Sequence, residues 1–219
     1  MGGRGKSVGN KSNQCGEENR KYNRNRPQYR LALKILDYVD IRGKLLDCGS
    51  GTGEFADIMK ETGFQVVCVD GSDTCIESVR QRGLECHKVD LEYQRLPFND
   101  NEFDIVVSLE VIEHLWNTGH YLAEIVRVLK PNGYAIFTTP NYNCWNYRIQ
   151  HVLGNFEKFT YKSRHKKFYT VKSFKEELEN YFEVKRSLGI ARLPIIQFSI
   201  KFQNLLSIHI GILGIPKKS

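Results

Sequence analysis

The chain has 219 residues, 41% hydrophobic and 26% charged. This is ordinary globular usage, which excludes a fibrous or wholly disordered protein. That length favours one domain with a sizeable core and no need of disulfide or metal staples. The net charge of +7 hides a pattern, with +6 over residues 1–30, −8 over 31–140 and +9 over 141–219. An acidic centre between two basic ends suggests different partners for different parts.

Residues 1–26 are rich in Gly, Asn and Ser and nearly free of apolar side chains, so they read as a basic, flexible N-terminal arm that cannot offset its ordering entropy. A helix is predicted from Pro27, and from there one domain over 27–219. Strands are predicted at Lys44–Cys48, Gln65–Asp70, Glu85–Val89, Asp104–Leu109, Tyr134–Thr139, Phe182–Leu188 and Ser207–Ile215. Helical patterns fall at Glu54–Thr62, Asp73–Arg82, Thr118–Leu129 and around Val171–Tyr181, with Asp73 as an N-cap and Gly63, Gly83 and Gly133 as stops. Apolar strands alternating with helices imply an α/β fold, a parallel sheet covered on both faces. Residues 141–181 break that beat and read as an acceptor-side insertion or lid, aromatic, basic and irregular until its last helix.

The six cysteines show no CxxC spacing, and Cys48 and Cys68 sit in strand-like apolar runs. Used as core filler in this way, they suit a cytoplasmic protein. No signal peptide is recognisable, and Lys6 spoils a myristoylation pattern at Gly2. The apolar stretch near 202–215 is interrupted by Gln203, Asn204, Ser207 and His209, so no membrane span is expected.

The run LLDCGSGTGEFA (Leu45–Ala56) places Asp47, Gly49, Gly51 and Gly53 between a strand and a helix. Glycines there permit positive φ and close approach of a ligand to the main chain. Gly51–Ala56 also satisfies the dinucleotide pattern. The next strand ends in Asp70, twenty-one residues after Gly49, where a carboxylate can accept both hydroxyls of a ribose. Asp47 would repel a pyrophosphate but stabilise an ammonium or sulfonium group.

Five segments in order, LLDCGSGTG, VVCVD, KVDLEYQRLPF, FDIVVSLEVIEHL and EIVRVLKPNGYAIFTTPN, resemble the class I S-adenosylmethionine-dependent methyltransferases, in particular the type 11 methyltransferase domain. The resemblance implies a Rossmann-like, doubly wound sheet of seven strands, six parallel and one antiparallel, with S-adenosyl-L-methionine as cofactor. Carried over, Asp47, Gly49 and Gly51 would cradle the methionine part, Asp70 the ribose and Asp90-Leu91 the adenine, and Ser108 would face the sulfonium. Cys48, Ser50, Gly53, Gly71 and Leu109 complete the cofactor-binding set.

Glu110-Val111-Ile112-Glu113-His114 follows the fourth strand. If helical, Glu110, Glu113 and His114 share a face. One reading has Glu110 and His114 lining the pocket as the catalytic pair, His114 as general base, with Glu113 turned toward the helix base. The other is a divalent-metal site completed by His165, which resembles the small-RNA 3′-end and ubiquinone-pathway methyltransferases. The expectation is that no metal is required, because Arg164, Lys166 and Lys167 beside His165 would oppose a cation. Thr139-Pro140-Asn141 reads as a turn.

Residues 141–170 interleave aromatic side chains, among them Tyr142, Trp145, Tyr147 and Phe168, with basic ones. They suit an anionic or aromatic acceptor, or stacked bases. The expected function is methyl transfer to a small-molecule acceptor. The alternative is an RNA-directed methyltransferase or RNA-binding protein, with nucleic acid held by the basic ends.

Overall fold

A computed structural model describes residues 25–154, 164–191 and 205–217. Most of the N-terminal arm, Cys15 and residues 155–163 of the predicted insertion lie outside that range. In chain order the elements are α1 (Pro27–Leu36), β1 (Lys44–Cys48), α2 (Glu54–Glu61), β2 (Gln65–Asp70), α3 (Asp73–Gln81), β3 (Glu85–Lys88) and β4 (Phe103–Leu109). A 3-10 turn at Ile112–His114 follows. Then come α4 (Thr118–Val128), β5 (Leu129–Pro140), α5 (Trp145–Val152), α6 (Val171–Glu179), β6 (Phe182–Ile190) and β7 (His209–Pro216).

The strands form one sheet in the order β3-β2-β1-β4-β5-β7-β6. β1 to β5 pair in parallel, and β7 runs antiparallel to both β5 and β6. This is the doubly wound sheet of six parallel strands and one antiparallel strand, and its strand order reverses between β1 and β4, where such folds bind ligands.

Alternate strand residues feed opposite faces. Leu46, Val106, Phe137 and Ile212 pack with Leu122, Ile125, Phe174 and Leu178 of α4 and α6. Leu45, Ile105, Val107 and Ile136 pack with Leu31, Ile35, Phe55 and Ile58 of α1 and α2. Each such aliphatic side chain, fully buried, contributes about 1.5–3 kcal/mol. α1 lies so close to β7 that a Cβ on Gly211 would come within 2.8 Å of Leu31 and Ile35.

Four local expectations are corrected. Ser72, one residue earlier than Asp73, is the N-cap of α3, and its side chain makes no capping bond. α4 ends at Val128, five residues before Gly133, because Leu129 already pairs with Phe103 as β5 begins. The region after Asn141 is not wholly irregular, since α5 occupies Trp145–Val152. None of its side chains is buried, so it lacks the core-facing stripe that reveals a helix in a sequence. Finally, the Glu110–His114 segment is not one helix: Glu110 has φ +59° and only Ile112–His114 turn, as a 3-10 helix.

Candidate active site

The predicted cofactor residues come together at the C-terminal ends of four neighbouring strands: Asp47, Cys48, Gly49, Ser50, Gly51 and Gly53 after β1, Asp70 and Gly71 after β2, Asp90 and Leu91 after β3, Ser108 and Leu109 at the end of β4. The loop after β1 turns on three left-handed glycines, Gly49 at φ +80°, Gly51 at +52° and Gly53 at +77°. Gly49 N and Ser50 N both donate to Val69 O, at 2.8 and 3.1 Å. A Cβ on Gly49 would fall 2.4 Å from Val111, whereas one on Gly51 would meet nothing within 4 Å. That open side is where a ligand can lie on the main chain.

Asp70 closes the loop from the neighbouring strand. Its Oδ2 accepts Gly51 N–H at 2.8 Å and its Oδ1 accepts Ser72 N–H at 2.9 Å. Each carboxylate oxygen keeps a lone pair for a further donor. Asp47 is buried and its Oδ2 has no hydrogen-bond partner. Burial, reinforced by the Asp70 charge, pushes its pKa up to about 7. An orphaned buried carboxylate beside an open glycine loop fits a ligand bearing a positive charge. Asp90 is exposed and uses Oδ1 to accept Glu92 N–H at 2.9 Å.

Ser108 differs from the expectation. Its Oγ accepts from Tyr121 Oη at 2.7 Å in a fully buried pair, because it shares the α4 side of β4 with Val106. The Cys48 thiol beside Tyr121 is raised to about 12 by burial, so it stays a neutral filler. Sequence reading missed Tyr121, whose apolar spacing on α4 reads only as core.

A second cluster sits beyond β4. Donor atoms of Glu113, His114 and His165 lie within 4.8 Å of one another. Glu113 is fully buried and its Oε1 is unpartnered, while Oε2 accepts from Thr139 Oγ1 at 3.3 Å. Burial first, and then the Glu110 charge, raises its pKa well above the usual carboxylate range. Burial and the neighbouring His114 ring lower that of His165, favouring a neutral imidazole. This corrects the expectation that Glu113 turns away toward a helix base: a 3-10 turn, tighter than an α-helix, rotates it into the cluster. A buried carboxylate and two imidazoles are donors that suit a divalent cation.

Two of the three basic neighbours of His165 are paired away from the cluster. Lys166 Nζ pairs with Glu92 at 2.7 Å and Lys167 Nζ with Glu177 at 3.1 Å. Their backbone N–H groups both donate to Glu113 O, at 2.7 and 3.0 Å, which docks this segment on the 3-10 turn. Tyr142 hydrogen-bonds His165 Nδ1 through its hydroxyl and stacks on Tyr147 at 4.9 Å, with Phe168 edge-on at 4.6 Å. Thr139 and Pro140 end β5, and Asn141 opens the expected turn, its O accepting Cys144 N–H at 3.3 Å and its Oδ1 Asn143 N–H at 3.1 Å.

Sheet order and glycine loop together define a Rossmann-like fold with an open, acid-lined loop at its switch point. The model of the methyltransferase domain family matches residues 46–137. A probable S-adenosylmethionine-dependent methyltransferase of Mycobacterium tuberculosis is 35% identical over 97 residues, 44% of this chain and 35% of that protein. A ubiquinone biosynthesis O-methyltransferase of Rickettsia felis is 29% identical over 180 residues, 77% of this chain and 72% of that one.

In fold, the chain is similar to an S-adenosylmethionine-dependent methyltransferase of Archaeoglobus fulgidus, with TM-score 0.64 and 19% identity, covering 86% of this chain and 92% of that one. One from Mesorhizobium loti has TM-score 0.66 and 15% identity, with 87% and 97% covered. The chain spans about a third of the length of the first curated relatives it matches. Residues 46–137 thus match a methyltransferase domain, and the curated relatives named here use S-adenosylmethionine. Among the described residues no helix is long and apolar enough to cross a membrane.

Proposed function

We propose that this chain transfers the methyl group of S-adenosyl-L-methionine to a hydroxyl of a small-molecule acceptor, with Glu110 and His114 at the reacting centre. The observation that carries the reading is the buried Glu113 carboxylate converging with His114 and His165 beside the end of β4. When bound, the sulfonium cofactor supplies an activated methyl group. The glycine loop and Asp70 orient the nucleoside, and Asp47 balances the positive charge at the methionine end.

Among the chain's own groups, the carboxylate of Glu110 takes the acceptor's proton, and the Lys166 and Lys167 N–H groups docked on Glu113 O hold the acceptor side together. Much of the rate then comes from alignment of acceptor and methyl group. Glu113, His114 and His165 would hold a divalent cation, which lowers the pKa of a bound hydroxyl. The Rickettsia relative's name supports oxygen as the methylated atom, and the Tyr142–Tyr147–Phe168 wall supports an aromatic acceptor. The RNA-directed alternative finds less support, because Lys166 and Lys167 spend their charges on Glu92 and Glu177.

The test is release of S-adenosylhomocysteine with catechol and related phenols as probe acceptors. It is run with EDTA, and after adding back Mg²⁺, Mn²⁺ or Co²⁺. Turnover that EDTA abolishes and one ion restores is the expected result. Turnover with short RNA and none with any phenol would overturn the reading.

A further inference from the structure

His209 opens β7, opposite Pro140 of β5 and Ile190 of β6. Because β7 runs antiparallel, its first residue lies at the same edge of the sheet as the last residues of β4 and β5. His209 Nδ1 is buried, makes no well-aligned hydrogen bond, and approaches Glu110 Oε2 at 3.1 Å. The other carboxylate oxygen, Oε1, accepts from Thr138 Oγ1 at 2.9 Å, and Glu110 N–H donates to Thr138 O at 3.0 Å.

Glu110 itself sits at φ +59°, a left-handed conformation that is unfavourable for a non-glycine residue and persists only where its surroundings impose it. Two strands that are remote in sequence thus grip one strained carboxylate from both sides, at the end of β4 and three residues before the 3-10 cluster. Nothing in the packing of the core requires a glutamate there, since the position is only half-buried.

We propose that His209 is a positioning residue for Glu110: with its proton on Nδ1 it fixes the carboxylate in one orientation for the acceptor, the contact tightening when the site is occupied. The inference rests on the reading of Glu110 at the reacting centre. Thr138 alone leaves the carboxylate free to rotate about its last bond, whereas a second donor on Oε2 fixes both oxygens. A misplaced reacting group costs up to about a hundredfold in rate. His209 acts through Glu110 and is not itself assigned contact with the acceptor.

Two measurements on the full chain decide it. The first is the ¹⁵N-histidine spectrum without ligands. The Nδ1–H tautomer of His209 is expected in the wild type, with reversion toward the Nε2–H form in Glu110→Gly, a substitution the backbone angle accepts. A His209 signal that does not change in Glu110→Gly overturns the inference whatever the turnover. The second is turnover with the phenol probes. His209→Ala should lose about tenfold or more in kcat, with the affinity for S-adenosylhomocysteine unchanged, while His209→Asn, whose amide can donate from nearly the same place, recovers most of it. Turnover of His209→Ala equal to wild type also overturns it. A wild type that methylates no probe while the spectrum shows the predicted tautomer shift would count against the acceptor class and leave the Glu110–His209 pairing established.

Discussion

Asp70 Oδ2 accepts the backbone N–H of Gly51 at 2.8 Å. The acid that ends β2 therefore fixes the shape of the loop that ends β1, and the two halves of the proposed nucleoside site are a single hydrogen-bonded unit. Replacing Asp70 with Ala removes the acceptor for Gly51 N–H and Ser72 N–H together with any ribose contact. Calorimetry should show S-adenosylhomocysteine binding weakened by about 2 kcal/mol or more, beyond what one lost hydrogen bond explains.

Asp47 gives a pH signature. Its pKa is raised to about 7, so the folded chain without cofactor prefers it protonated. Its contribution to stability is complete below its unfolded value of 3.8 and is lost as pH rises through about 7. A cationic ligand prefers the ionised form. S-adenosyl-L-methionine affinity should thus fall about tenfold between pH 8 and pH 6. Asp47→Asn should flatten that dependence and weaken binding, yet raise the Tm of the ligand-free protein at pH 8 by about 2–4 °C. Titration calorimetry at several pH values and thermal scans check both halves.

Gly49→Ala should be costly for two reasons that add. An alanine at φ +80° is strained, and its Cβ would overlap Val111 at 2.4 Å. A loss of about 1–3 kcal/mol is expected from the backbone alone. Denaturant unfolding would read it, and Gly51→Ala, with nothing within 4 Å of the added Cβ, should cost less stability while still impairing cofactor binding.

Glu113→Gln tests the buried cluster without an acceptor. Burial raises the pKa of Glu113, so ionising it costs the empty protein stability as pH rises through its folded value. The neutral amide should therefore raise the Tm at pH 8. The same substitution should abolish the rise in Tm that Co²⁺ or Mn²⁺ produces in the wild type. A wild-type Tm indifferent to these ions would rule out cation binding there.

Glu92 ties three segments together. It accepts Trp116 N–H at 2.8 Å, Asn117 N–H at 3.1 Å and Lys166 Nζ at 2.7 Å. Glu92→Gln keeps a carbonyl oxygen for the two backbone donors but loses the ion pair. Glu92→Ala loses all three and strands the N–H groups. Unfolding measurements should rank alanine as the worse by about 1–3 kcal/mol, with faster proteolysis near Lys166 in both.

The sequence alone determined the strand–helix alternation, the glycine loop, Asp47 and Asp70, because these are encoded locally. Period-2 and near-continuous apolar runs mark strands, glycines mark positive φ, and a strand-ending acid falls at a fixed distance from the loop. The family likeness also implied one antiparallel strand, and the structure shows that it is the last. α5 escaped sequence reading because no face of that helix is buried. What only the tertiary structure decided depends on groups far apart in the chain. The strained backbone at Glu110 turned an expected helix face into two separate clusters. The ion pairs of Lys166 and Lys167 engaged two of the three basic side chains, Arg164 being the third, that the sequence sets against a cation. His209 reached Glu110 only because β7 inserts beside β5 in the opposite direction. Local patterns report which way a side chain faces along its own element, whereas charge pairing and the far ends of strands are settled by the order in which the sheet is assembled.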